Sequence, residues 1–120
     1  MKIAVSTSGN DLSAPLDPRF GRAARFVIYE TETGTFEIAG NEQNLNAAQG
    51  AGIQAAQNAA STGAAAVISG HFGPKAFRVL SASKIAAYPT TAATVQEALD
   101  LYAAGKLTAA QEADVEGHWM

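Results

Sequence analysis

Hydrophobic positions in this chain fall into short blocks, and the period of the blocks changes part-way along. Residues 2–7, Lys-Ile-Ala-Val-Ser-Thr, are an apolar run closing in small polar residues, which predicts a strand. Residues 25–31 and 35–38 predict two more. Phe26 and Ile28, then Phe36 and Ile38, are spaced by two, and Glu32-Thr33-Gly34 between them supports a hairpin. Further on the period becomes helical. Ile53, Ala56 and Ala60 share one face, Gln54, Gln57, Asn58 and Ser61 lie elsewhere, and Gly63 ends the pattern. Residues 65–69 then read as a short buried strand. Pro74 opens a helix whose apolar positions are Ala76, Phe77 and Leu80, and which runs to about Ala82. Residues 84–88 form another short strand, stopped by Pro89. Thr94-Val95-Gln96-Glu97 is a capping box, followed by Val95, Ala98, Leu99 and Tyr102 on one face and Gly105 as the C-terminal glycine. Residues 106–120 are mixed, with room for a short helix and a tail that ends Gly117-His118-Trp119-Met120.

Three strands followed by alternating helix and strand predict an α/β fold. The hairpin requires antiparallel neighbours and the two strand–helix–strand crossovers require parallel ones. The expectation is a three-layer arrangement in one domain spanning residues 1–120, with a mixed five-stranded sheet and helices on both faces. Ligands of such sheets bind beyond the carboxyl ends of strands where strand order reverses. If strand 2–7 lies beside strand 65–69, one crevice would collect the long turn-rich loop 8–22 and the turn Gly70-His71-Phe72-Gly73-Pro74-Lys75. Arg19, Arg22, His71, Gly73 and Lys75 would meet there at a helix N-terminus, an acceptor for a compact polyanion. A plainer reading stands beside it. Gly70 and Gly73 serve a tight strand-to-helix connection, His71 is an exposed loop residue, Arg19 pairs with Asp17, and Phe20 anchors the loop.

Composition narrows the chemistry. The 120 residues suit one core, and 48% hydrophobic with 16% charged residues describe an ordinary globular chain. A net charge of −3 gives no electrostatic support for nucleic acid or a membrane surface. No run is long enough to span a bilayer, and the N-terminal run is too short for a signal peptide, so a cytoplasmic location is expected. There is no cysteine, which excludes disulfides, thiolate zinc sites and cysteine-ligated iron–sulfur clusters. A metal must be held by His71, His118, carboxylates or methionines, or arrive as a preassembled anion.

Enzyme motifs fare poorly. Gly50-Ala51-Gly52-Ile53-Gln54-Ala55 has the letters of a dinucleotide fingerprint, but a polar loop precedes it and no acidic residue follows at the ribose-binding distance. It reads as a helix start with close packing. There is no P-loop, the first strand carries no carboxylates for a two-metal nuclease, and no nucleophile elbow surrounds Ser6 or Ser69.

Four blocks carry a resemblance over nearly the whole chain: residues 1–7, Leu16-Asp17-Pro18-Arg19-Phe20-Gly21-Arg22, the run 50–56, and Gly70-His71-Phe72-Gly73-Pro74-Lys75-Ala76-Phe77. In this order and spacing the chain resembles the dinitrogenase iron–molybdenum cofactor biosynthesis family, and most closely its small stand-alone orange-protein branch. The resemblance implies a ribonuclease H-like fold without nuclease activity. It also implies non-covalent binding of a molybdenum–copper sulfide or an iron–molybdenum–sulfur cluster. It carries site expectations onto Arg19, Arg22, His71 and Lys75, with His118 added. Polyanionic sulfides need diffuse positive charge, N–H donors and apolar walls. The arginines supply the first, His71 a donor or a metal ligand, and Phe20, Phe72 and Phe77 candidate walls.

The expected function is carriage of such a cluster without catalysis. The alternative is a partner-binding or regulatory module with a vestigial crevice. An enzyme using the same pocket for a small phosphorylated substrate ranks third, because no catalytic base constellation is visible.

Overall fold

The computed structural model describes residues 1–43 and 50–111. Its elements run β1 (Lys2–Thr7), a 3-10 turn (Phe20–Arg22), β2 (Arg25–Glu30), β3 (Phe36–Gly40), α1 (Ala51–Ser61), β4 (Ala66–Ser69), α2 (Pro74–Ala82), β5 (Ala86–Pro89) and α3 (Val95–Ala103). The sheet order is β3-β2-β1-β4-β5. β2 is antiparallel to β1 and β3, while β4 is parallel to β1 and β5. The mixed α/β sheet expected from the element order is therefore present, with the reversal between β1 and β4.

Alternation along the strands sorts the core into two layers. Ala4, Phe26, Ile28, Val67 and Ala87 face α1 and α2, whose contacts are Ala55, Ala56, Ala59, Ala76 and Leu80. Ile3, Val5, Val27, Ala66 and Ile68 face α3 through Val95, Ala98 and Leu99. Alanine on α1 brings its axis close to the sheet. The large side chains then come from the sheet and the turns, each worth about 1.5–3 kcal/mol when fully buried. At α3 the Thr94 hydroxyl accepts from the Glu97 amide at 3.1 Å, and the Glu97 carboxylate accepts from the Ala93 amide at 3.2 Å. The reciprocal bond of the capping box thus reaches one residue further back than the motif suggests. Gly105 follows with φ +72°, as a C-terminal glycine should.

Three features differ from the sequence expectation. Pro89 belongs to β5 rather than ending it, because β5 is an edge strand and proline costs no ladder bond on an outer edge. Residues 106–111, the described part of the stretch with room for a short helix, are not helical, and the Ala110 amide donates to the Ala87 carbonyl at 2.8 Å. Phe36 and Ile38 are 38% and 40% exposed, since no described helix reaches β3 on their side. The tail with His118 and Trp119 lies outside the described residues.

Candidate functional site

Loop 8–22 lies across the carboxyl ends of β1 and β4. The Asp17 amide donates to the Ser6 carbonyl at 2.9 Å, and the Asp17 carbonyl accepts from the Ser6 hydroxyl at 2.7 Å, with the Ser69 hydroxyl 3.2 Å away. The two buried hydroxyls are 2.7 Å apart, so one donates to the carbonyl while the other donates to its fellow. The Thr7 hydroxyl donates to the Pro15 carbonyl at 2.7 Å. One residue on, the His71 amide donates to the Pro18 carbonyl at 2.8 Å and the Phe20 amide to the His71 carbonyl at 3.3 Å. Loop and turn thereby pair like short parallel strands. Gly70 is required where they cross: a Cβ there would stand 2.7 Å from Pro18 Cα, Cβ and O.

This strap fills the switch-point crevice that strand order predicts, so the expected single pocket becomes two. On the α1/α2 side, a cavity of about 220 Å³ is lined by Gly21, Arg22, Gly50, Ala51, Gly52, Gly73, Pro74, Lys75 and Ala76. On the α3 side, a shallower cavity of about 590 Å³ includes Pro18, Gly70, His71, Thr90 and Lys106. Arg22, Gly73 and Lys75 are brought together. His71 opens onto the other side of the strap. Arg19 lines neither cavity; its side chain is 67% exposed, and its Nε lies 3.7 Å from Asp17 Oδ1. Phe20 and Phe72 are not walls: both are fully buried, with ring centroids 5.1 Å apart, and Phe20 also packs on Phe26 at 5.6 Å. The strap needs an apolar anchor, and burying both rings supplies it. Phe77 packs against the same core layer.

The smaller cavity is where two helices begin. α1 starts after Gly50 and α2 after Gly73, and neither has a side-chain cap. The Gln54 amide donates to the Gly50 carbonyl at 3.1 Å and the Phe77 amide to the Gly73 carbonyl at 2.9 Å, so the first-turn amides before them have no intrahelical acceptor. Both helix dipoles place their positive ends on the same space. Glycine permits the approach. A Cβ on Gly21 would sit 3.2 Å from the Gly52 backbone, and one on Gly52 would sit 3.3 Å from Ala76 Cβ. The Gln43 side-chain amide donates to the Gly21 and Ala51 carbonyls at 3.3 Å each and holds the 3-10 turn to α1. Arg22 and Lys75 are exposed, and neither makes an ion pair among the described residues.

Gly21, Gly50, Gly52 and Gln43 were not among the sequence-derived site residues. The Gly-x-Gly spacing marked close packing at a helix start, and what packs there is the wall of the cavity. Gln43 carried no sequence signal. Among the described residues no three His, Cys, Asp or Glu side chains converge as a metal site. The donor set present is therefore amides, a guanidinium and an ammonium, which suits an anion rather than a bare cation. No helix among the described residues is long and apolar enough to cross a membrane.

Comparison with known proteins agrees with this reading of the blocks. A family described as dinitrogenase iron-molybdenum cofactor matches residues 1–105. An uncharacterized protein of Methanocaldococcus jannaschii is 36% identical over 111 residues, 89% of each chain. The apo form of the orange protein from Desulfovibrio gigas is 36% identical, with a TM-score of 0.89 over 95% of this chain and 96% of that one. A NifB-like protein from Thermotoga is 35% identical, with a TM-score of 0.75 over 90% and 91%. The chain belongs to the dinitrogenase iron-molybdenum cofactor family.

Proposed function

We propose that this family member binds and carries a molybdenum-containing metal–sulfide cluster, without a covalent bond and without catalysis. The observation that carries the reading is the meeting of two uncapped helix N-termini with Arg22 and Lys75 on one glycine-walled cavity. Its volume of about 220 Å³ falls below the roughly 300–1,000 Å³ of sites for drug-sized organic ligands. A compact inorganic anion matches that space and that charge. The first-turn amides and the Arg22 guanidinium would donate to sulfide, and Lys75 would add charge without fixed geometry. Gly73 lets α2 begin at the wall. Arg19 and His71 lie outside that cavity, on the strap and on its α3 side, so a role for either needs a second contact with the cluster there. His71 offers a ligand to a copper or iron there, as would His118 of the tail.

The family description names an iron-molybdenum cofactor, and one structural relative is an orange protein solved in its apo form. Both support cluster cargo; the choice of a molybdenum–copper sulfide over an iron–molybdenum–sulfur cluster is our own. The protein is mixed with tetrathiomolybdate and copper, desalted, and read by optical spectrum and elemental analysis. Retained molybdenum and copper in a fixed ratio, reduced about tenfold or more in the Arg22→Ala/Lys75→Ala double variant, is the expected result. Equal retention by that variant overturns the cavity assignment, and no retention by the parent protein overturns the choice of a molybdenum–copper cargo.

A further inference from the structure

The rows of the sheet on the α3 side stay apolar up to the outer edge and are uncovered there. Ile3, Tyr29 and Phe36 share one cross-strand row, and Val5, Val27 and Ile38 share the next. Val5 and Val27 are fully buried, yet Phe36 and Ile38 are 38% and 40% exposed. With Met1 they make up the exposed large hydrophobics of the described residues.

The backbone of β3 is available as well. The Glu30 amide donates to the Thr35 carbonyl and the Asn41 amide to the Ala24 carbonyl, so positions 35 and 41 turn their polar groups toward β2. Alternation along an antiparallel pair then turns those of Phe36, Ile38 and Gly40 outward. Edge strands of monomers are usually blunted by charge, proline, a bulge or a covering segment. On its α3 side β3 has none of the first two, and no described helix covers it.

We propose that the β3 edge pairs antiparallel with β3 of a second copy of this chain, about a two-fold axis at Ile38. The strand is self-complementary in that register. Ile38 meets Ile38 of the second copy, and each Phe36 lies opposite a Gly40, where an aromatic ring covers a residue with no side chain. Both neighbouring registers are worse. Glu37 falls opposite Ala39 and Glu42 opposite Gly34, whereas one ladder step one way sets Glu37 against Glu37 and one step the other way sets Phe36 against Glu42. One adjustment is needed: the exposed Glu42 side chain, whose Cγ lies 3.6 Å from where a Gly40 Cβ would be, swings aside for the incoming ring. Such an interface is isologous and closed, so it stops at two copies. It lies at the edge of the sheet remote from β4 and β5 and is independent of the cargo reading.

The absence of cysteine makes the register directly testable. Sedimentation equilibrium of the full chain from about 10 μM to about 1 mM should show mass rising toward that of a dimer. Ile38→Lys should raise the dissociation constant about tenfold or more with an unchanged circular dichroism spectrum. Opposed residues of a hydrogen-bonded pair stand about 5.5 Å apart at Cα, within disulfide range. Ile38→Cys should therefore oxidise to a covalent dimer far faster than Ser81→Cys, placed on the exposed face of α2. A monomer throughout the concentration range, or equal oxidation rates for the two cysteine variants, overturns the proposal even where Ile38→Lys fails to fold.

Discussion

Gly70 is the position with least freedom at the site. Pro18 crosses where its Cβ would be, and the clash involves backbone at both ends. Gly70→Ala is expected to lower stability by about 1–3 kcal/mol in urea unfolding, because loop or turn must move. Separation of strap and turn would also move His71 and Phe20, so cluster retention should fall with stability. Gly21 has a gentler version of the same constraint, its absent Cβ 3.2 Å from the Gly52 backbone. Residue type alone could not say which glycines matter for approach and which merely end helices. Gly63 and Gly105 have positive φ and open space around them, whereas Gly21, Gly52 and Gly70 have the reverse. That distinction depends on a neighbour distant in sequence.

Helix ends carry the next set of expectations. α1 begins at Gly50, in extended backbone with nothing within 4 Å of a Cβ placed there. Gly50→Asp would cap α1 and so raise stability by a few tenths of a kcal/mol. It would also set a carboxylate beside Arg22 and Lys75. A higher Tm together with lost molybdenum retention is the expected pair of results; retention unchanged would separate α1 from the cargo site. At the other end of α2, Lys84 has φ +60°, a left-handed conformation without glycine. Lys84→Gly is expected to raise stability by about 0.5–1 kcal/mol in denaturant titration. Thr94→Ala should lower it by about 1 kcal/mol through loss of the α3 cap. The capping box and Pro74 were legible in sequence because a cap is written in adjacent residues. The left-handed Lys84 was not, since any residue is tolerated there at a modest cost.

Across the whole molecule, the first and second strands are tied at their outer ends. The Met1 ammonium lies 2.7 Å from Glu30 Oε2. That hydrogen bond, helped by the Glu32 amide, holds the Glu30 carboxyl below its ordinary value. The same bond raises the ammonium above the ordinary value for a terminal amine. A depressed carboxyl contributes stability above its unfolded pKa and loses it as pH falls through the folded one. A raised amine contributes below its unfolded pKa and loses it as pH rises through the folded one. The pair therefore contributes fully only between the carboxylate and amine ranges, about pH 5 to 7. Glu30→Gln should flatten both flanks of a Tm-against-pH profile; flanks of unchanged slope would show that the contact contributes nothing in solution. Both groups are exposed, so added salt should weaken the effect.

Periodicity, caps and turn residues determined the strands, the helices and the mixed character of the sheet, because those signals act between near neighbours in the chain. The four blocks quoted above also pointed to the family by their order and spacing. What the chain alone left open was how residues far apart share space. Arg19, Arg22, His71 and Lys75 looked like one crevice because the loop that carries two of them was treated as a rim. Only the tertiary structure shows that the loop lies in the crevice, held by Ser6 and Ser69 and anchored by Phe20 and Phe72. That divides the cations between two sides. Likewise, alternation in β3 announced a buried face, and only packing shows that no described helix covers it. The physical reason is common to both cases: a pattern specifies which face of an element is apolar, while the element that covers that face is chosen by the whole chain.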